Sequence, residues 1–387
     1  MDSLSVLPLG MVMAVKIVIC LNTAWNLVNF RSGLIRAMVA KGYEVVAIAP
    51  DDKYAEGLTS LGCRFIPMSM DSQGTHPGRD ALLLYRLFHL LRTECPDVYL
   101  GYTVKPNVYG SIAAYFLGIP VVNNIAGLGA VFGKKGPILY FVKTLYRIAL
   151  SRSAKIFFQN KDDRDLFIES GLVRPAQTDV LPGSGVDLKK FNVPQPKAEN
   201  HLSRKFRFLL IARMLWDKGI GEYVEAAKIL HQRWPHVECC LLGFLDAKNP
   251  GAINRTQMDE LVAQGVVYLG SSDNVAIEIA NADCIVLPSY YREGTPRVLL
   301  EAAAMGRPII TTNAVGCREV VDDGINGYLC KIRDARDLVN KMELMLTLSI
   351  EQREAMGLQG RKKMEAEFDE RIVIEKYLAV INSIVMR

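Results

Sequence analysis

Glu293 and Glu301 stand eight positions apart around a Gly294-Thr295-Pro296 turn. A strand-like run, Cys284-Ile285-Val286-Leu287-Pro288, precedes them, and a helix-forming run from Leu299 to Met305 follows. Pro296 suits the first turn of a helix, where its missing N–H costs nothing. Glu293 is therefore expected on the loop above the carboxyl end of a strand, and Glu301 one to two turns into the next helix. The free N–H groups at such a helix start attract anions. A carboxylate accepts hydrogen bonds from two hydroxyls, as a vicinal diol offers them. Carboxylates beside an anion site suit a ligand with both phosphate and hydroxyl groups, and a nucleotide sugar is the obvious kind. Two surface glutamates on an ordinary strand–turn–helix would show the same spacing, so the flanking residues decide.

A second pair, Arg213 and Lys218, lies in Leu209-Leu210-Ile211-Ala212-Arg213-Met214-Leu215-Trp216-Asp217-Lys218-Gly219, which reads as a strand running into a loop and a helix. Fixed cations at a strand's carboxyl end stabilise negative charge that builds on a departing phosphate. The same spacing also occurs in solvated surface pairs. Thr295, Pro296 and Arg297 bring backbone N–H groups towards a diphosphate; Arg297 either adds charge or points to solvent.

The series Pro288–Pro296, Glu301–Ile310, Val315-Gly316 and Asp323–Leu329 resembles the donor-site signature of glycosyltransferase family 4, the retaining nucleotide-sugar transferases of GT-B fold. The resemblance is strong over the C-terminal half and loose over the N-terminal half. It implies that Glu293 holds donor-sugar hydroxyls, Glu301 the ribose, and Arg213 with Lys218 the diphosphate. It implies that the Gly270–Asp273 loop, which carries the donor-binding candidate Ser271, passes the nucleobase mostly through backbone groups; Gly243, after another strand, is a candidate for lining the same pocket. Both loops also read as plain strand-end turns.

The N-terminal half departs from the family. Many members carry a Gly-Gly pair after the first strand; here the loop reads Asn22-Thr23-Ala24-Trp25-Asn26-Leu27-Val28-Asn29-Phe30-Arg31. A His of the catalytic region is not evident, and Gly101–Asn107 stands near its place. Asn26, Lys105 and Asn124 are the acceptor-side candidates, Lys105 as a contact to acceptor phosphate or as a surface lysine. The stretch Lys134–Arg147 mixes Lys134, Lys135, Lys143 and Arg147 with bulky apolar residues, which suits either an anionic membrane surface or a core-facing helix with a basic edge. Asp163-Arg164-Asp165 sits at a helix start after Gln159-Asn160, where capping explains it.

The elements that must position these residues alternate as strands and helices. Strands are expected at Lys16–Leu21, Glu44–Ile48, Arg64–Pro67, Val98–Gly101, Val121–Asn124, Lys155–Phe158 and Thr178–Leu181. A second series is expected at Phe206–Ile211, Glu238–Leu242, Val266–Leu269, Cys284–Leu287 and Ile309–Thr312. Such alternation gives parallel, doubly wound sheets, so the expected fold is α/β, of GT-B type, with two facing Rossmann-like domains. The polar stretch Pro194–His201 reads as a linker. The expected domains are 1–196 with a returning C-terminal helix at about 370–387, and 197–369.

The chain has 387 residues, half of them hydrophobic and 22% charged, which excludes global disorder. Its net charge of +5 is too modest for a nucleic-acid binder. Eight cysteines without a C-x-x-C pair, and five scattered histidines, point to buried thiols and no metal site. The N-terminus lacks a basic flank and cleavage site, so no signal peptide is expected, and Met1, Met11 and Met13 are alternative starts.

No cofactor or metal is expected, since Arg213, Lys218 and the helix start supply the charge. The resemblance extends to bacterial enzymes that lengthen undecaprenyl-diphosphate-linked glycans, including N-acetylgalactosaminyltransferases. It implies a UDP-sugar donor, a polyprenyl-diphosphate-linked sugar acceptor, and a cytoplasmic enzyme peripheral to the inner face of the membrane. The alternatives on the same architecture are a nucleotide-sugar epimerase and a noncatalytic nucleotide-sugar-binding subunit.

Overall fold

The structure, a computed structural model, describes residues 14–71, 76–128, 136–194, 205–245, 249 and 251–386. The alternative starts Met1, Met11 and Met13, the basic residues Lys134 and Lys135, and nearly all of the linker from Pro194 to His201 lie outside them.

The strands are β1 (Lys16–Cys20), β2 (Glu44–Ala49), β3 (Arg64–Pro67), β4 (Val98–Tyr102), β5 (Val121–Ile125), β6 (Lys155–Phe158), β7 (Thr178–Val180), β8 (Phe206–Ile211), β9 (Val237–Leu242), β10 (Val267–Tyr268), β11 (Cys284–Leu287), β12 (Ile309–Thr312) and β13 (Gly327–Cys330). One sheet has the order β3-β2-β1-β4-β5-β6-β7 and the other β10-β9-β8-β11-β12-β13. The register is parallel, as in Ile17 opposite Val45 and Ile285 opposite Ile309. All residues of β4, β5, β11 and β12 are buried, as expected of parallel strands covered on both faces.

By packing, the chain divides into two compact units. The first comprises Met1–Val122, Arg152–Ala154 and Tyr377–Arg387. Its core joins Val18 and Cys20 of β1, Val46 and Ile48 of β2, and Leu83, Leu87 and Leu91 of the helix Pro77–Glu94. The second comprises Asn123–Ser151 and Lys155–Lys376. One of its cores centres on Phe208 and Leu210 of β8 with the helix Ile220–Arg233, and another on Leu209, Ile285 and the helix Arg297–Ala304. Among the described residues, no helix is long and apolar enough to cross a membrane.

Three local features differ from the sequence reading. The expected loop Asn22–Arg31 contains a helix, Ala24–Phe30, because Thr23 Oγ1 accepts the Asn26 N–H at 3.2 Å and Asp52 accepts those of Ala24 and Trp25. β13 adds a strand that the turn residues Asp323–Asn326 disguise. The helical patterns near 108 and 364 open or end with π-turns, Pro106–Gly110 and Met364–Phe368.

Candidate active site

β8 ends at Ile211, and the chain turns through Arg213 into the short 3₁₀ turn Trp216–Lys218. Gly219 follows with φ +78°, and a Cβ there would lie 2.2 Å from the Pro288 carbonyl oxygen, so only glycine fits. This close approach binds the loop after β8 to the loop after β11. The Asp217 carbonyl accepts the N–H groups of Tyr290 and Tyr291, each at 3.0 Å.

Lys218 Nζ consequently meets Glu293: it donates to Glu293 Oε1, and the Ser289 hydroxyl donates to the same oxygen at 3.1 Å. The two charged side chains are 11% and 13% exposed. Lys218 Nζ also lies 5.0 Å from the centre of the Tyr291 ring. The half-buried Asp217 carboxyl registers all these charges. Burial raises its pKa most; Lys218 lowers it, Glu293 raises it and Arg213 lowers it. Arg213, which is exposed, thus belongs to the same electrostatic cluster. The structure brings Arg213, Lys218 and Glu293 together at the carboxyl ends of β8 and β11, which are neighbours in the sheet.

The helix Arg297–Ala304 starts one residue later than the sequence implied, with Pro296 as its N-cap. Glu301, 8% exposed, accepts from Arg297 Nε at 3.0 Å, and Arg297 Nη1 donates to Ser184 Oγ at 3.0 Å. Of the two readings for Arg297, solvent is therefore excluded: its side chain bridges Glu301 and Ser184. Burial raises the Glu301 pKa, and Arg297 opposes the shift. Glu301→Ala is expected to weaken UDP binding by about 1–3 kcal/mol, the cost of unpaired buried partners. Calorimetric titration with UDP checks this, and unchanged affinity would remove the ribose role.

Gly243 has φ +151°, and a Cβ there would sit 1.7 Å from the Ala212 carbonyl oxygen. Its N–H donates to the Gly270 carbonyl and its carbonyl accepts from Tyr268 Oη, both at 2.7 Å. The loops after β8, β9 and β10 are thus laced together, with Ser271 exposed beside them.

The acceptor-side candidates fall in both units: Asn26 and Lys105 in the first, Asn124 in the second. Asn26 is half-buried on the helix Ala24–Phe30. Lys105 pairs with Asp80 at 2.8 Å, both largely shielded. Asn124 is fully buried in β5, and its Oδ1 accepts from Gln159 Nε2 at 3.3 Å.

That last bond belongs to a support that sequence reading missed. Gln159 Oε1 accepts the Thr295 N–H at 3.2 Å, and the Gln159 carbonyl accepts the Thr295 hydroxyl at 3.0 Å. Asn160 Nδ2 reaches the carbonyls of Glu293 and Gly294 at 3.4 and 3.3 Å. Asp163, fully buried, accepts from Arg292 Nε at 2.7 Å. Burial raises the Asp163 pKa, and Arg292 works against it. Asn160 does cap the helix Lys161–Glu169, as its type suggests, but the same side chain also fixes the turn carrying Glu293. Thr295 therefore spends its own N–H on Gln159 in this structure. Among the described residues, no group of three or more His, Cys, Asp or Glu side chains could hold a metal ion.

Residues 29–183 match the model of the glycosyl transferase 4-like domain, and residues 194–363 that of glycosyl transferases group 1. The chain belongs to glycosyltransferase family 4. This family 4 glycosyltransferase is 28% identical over 374 residues to the N,N'-diacetylbacillosaminyl-diphospho-undecaprenol alpha-1,3-N-acetylgalactosaminyltransferase of Campylobacter jejuni, covering 93% of this chain and 96% of that protein. It is 26% identical to the capsular polysaccharide biosynthesis glycosyltransferase CapM of Staphylococcus aureus, over 91% of this chain and 93% of that one. Its fold matches a glycosyltransferase crystal structure from Rickettsia africae with a TM-score of 0.79 at 17% identity, covering 96% and 99% of the two chains. Anabaena HepE, solved with UDP and glucose, matches with a TM-score of 0.75 at 19% identity, covering 95% and 99%. The fold is therefore GT-B, built from two parallel-sheet α/β domains.

Proposed function

We propose that this glycosyltransferase moves a hexose or N-acetylhexosamine from a UDP-sugar to a sugar hydroxyl of an undecaprenyl-diphosphate-linked oligosaccharide, with retention of configuration and without a metal ion. One observation carries the reading: Lys218 and Glu293 pair beside Arg213 at the ends of β8 and β11, next to the helix that carries Glu301. In this reading Arg213 and Lys218 bear the charge that grows on the leaving diphosphate as the anomeric C–O bond breaks. Glu293 orients the sugar through its hydroxyls, and Glu301 exchanges Arg297 for the ribose diol. The acceptor hydroxyl loses its proton to the leaving phosphate on the same face. The acceptor class follows the Campylobacter relative and the Escherichia coli alpha-1,3-galactosyltransferase that acts on GlcNAc-diphosphoundecaprenol, 27% identical over 68% of this chain.

The deciding experiment is a screen of UDP-sugars with an undecaprenyl-diphosphate-sugar acceptor, reading transfer and the anomeric configuration of the product. An inverted product overturns retention. Conversion of the donor sugar without transfer identifies an epimerase, and binding without turnover a noncatalytic subunit.

A surface for the lipid is offered by the helix Pro137–Leu150. Tyr140, Phe141 and Ile148 are exposed on it. Lys143 Nζ donates to Ser170 Oγ at 3.4 Å and Arg147 Nε to the Gly171 carbonyl at 3.1 Å. The wild type is expected to co-sediment with anionic vesicles at low salt and to leave them at high salt. Replacing Lys134, Lys135, Lys143 and Arg147 with Gln is expected to weaken that binding, each being worth about 1 kcal/mol near an anionic surface. Failure of the wild type to co-sediment at low salt would make this an ordinary packed helix.

A further inference from the structure

Arg31 in the first unit is a buried cation that forms no ion pair among the described residues. It follows the helix Ala24–Phe30, is 5% exposed, and its Nε has no hydrogen-bond partner. Among the described residues its one hydrogen bond is long, from Nη1 to the neighbouring Phe30 carbonyl at 3.4 Å. The guanidinium lies 4.6 Å from the centre of the Tyr102 ring. Tyr102 is the last residue of β4 and is buried; its ring stacks on Tyr377 at 6.0 Å, and the Tyr377 side chain is the polar neighbour of its hydroxyl, which makes no other hydrogen bond among the described residues.

A buried donor without an acceptor costs about 1–3 kcal/mol, and more when it is charged. A guanidinium stacked on the Tyr102 ring with an unsatisfied Nε calls for an oxyanion. Its place also fits a ligand, since β1 and β4 pair in parallel and open α/β sheets bind ligands beyond their carboxyl ends. Thr103, the next residue, holds φ +59°, a strain that concentrates at ligand-binding sites. A guanidinium fork matches the paired oxygens of a phosphate.

We propose that Arg31 and Tyr102 form a phosphate-binding site. The identity of the anion rests on the proposed function: the donor's diphosphate is assigned to Arg213 and Lys218, which leaves the diphosphate of the acceptor for Arg31.

The test is calorimetric titration of the full chain with inorganic pyrophosphate under saturating UDP, which blocks the donor's diphosphate site. The wild type should bind. Arg31→Gln should weaken pyrophosphate about 10- to 100-fold, as expected for a charged hydrogen bond. Tyr102→Phe keeps the ring under Arg31 and removes only the hydroxyl, so it should fold normally and weaken binding about threefold to tenfold, the range for a neutral hydrogen bond. Absence of wild-type binding, or unchanged affinity in Tyr102→Phe together with unchanged affinity or failure to fold in Arg31→Gln, overturns the site and leaves Arg31 a packing residue. Kinetics then identify the source of the phosphate. A rise in KM for a diphosphate-linked acceptor, with none for the same sugar as a methyl glycoside, assigns it to the acceptor. Equal effects on both assign it to free phosphate and overturn the acceptor assignment. Pyrophosphate binding that depends on Arg31 in a protein that transfers no sugar would sink the proposed function while leaving the site standing.

Discussion

Lys218→Ala should lower kcat/KM about 10²–10³-fold, the cost of losing one fixed group that stabilises developing charge. Arg213→Ala should fall in the same range, yet the two variants should differ in stability. Arg213 is exposed, and an exposed charge contributes little to stability, so its removal should cost the fold less. Lys218 is shielded and paired with Glu293, so its removal strands a carboxylate that, among the described residues, retains the Ser289 hydroxyl as its hydrogen-bond donor. A loss of about 1–3 kcal/mol in stability accompanies such an orphaned group. Steady-state kinetics and thermal melts together separate the two contributions. Turnover near wild type in either variant would mean that the diphosphate clamp is misassigned.

Glu293→Gln should damage turnover far more than nucleotide binding. The substitution keeps the shape of the side chain and removes its charge. Against a UDP-sugar, loss of charged hydrogen bonds to the sugar hydroxyls predicts a fall in kcat/KM of about 10- to 100-fold. Against free UDP there is no sugar to lose, and affinity should stay within about threefold, a change below 1 kcal/mol. The comparison is kinetics with the donor against calorimetry with UDP. If both fall equally, Glu293 touches the nucleotide and not the sugar.

The strands were legible because buried parallel strands are short apolar runs bounded by turn residues, as in Cys284–Leu287 and Ile309–Thr312. β13 escaped because Gly327-Tyr328-Leu329-Cys330 follows Asp323-Gly324-Ile325-Asn326, and the turn signal dominates a four-residue strand. The helix Ala24–Phe30 escaped because part of its N-terminal capping comes from Asp52, on another element. In the candidate site, the placement of Arg213, Lys218 and Glu293 after strand ends and of Glu301 on the following helix was readable from local context. Gln159, Asn160 and Asp163 were not, because they act on residues more than 120 positions away and their types are already explained by a helix start. Arg31 was missed for the opposite reason: its meaning lies in partners that are absent, and spacing cannot reveal that.

Seven of the eight cysteines are buried, and Cys95 alone is exposed. Burial pushes the Cys63 thiol up to about 11 and those of Cys20, Cys239, Cys240, Cys317 and Cys330 to about 12, so at neutral pH they hold almost no thiolate. The native chain therefore presents a single reactive handle to a maleimide, at the end of the helix Pro77–Glu94. Because Cys20 and Cys63 belong to the first unit and Cys239 to Cys330 to the second, the stoichiometry of labelling in rising denaturant counts the order in which the two units open.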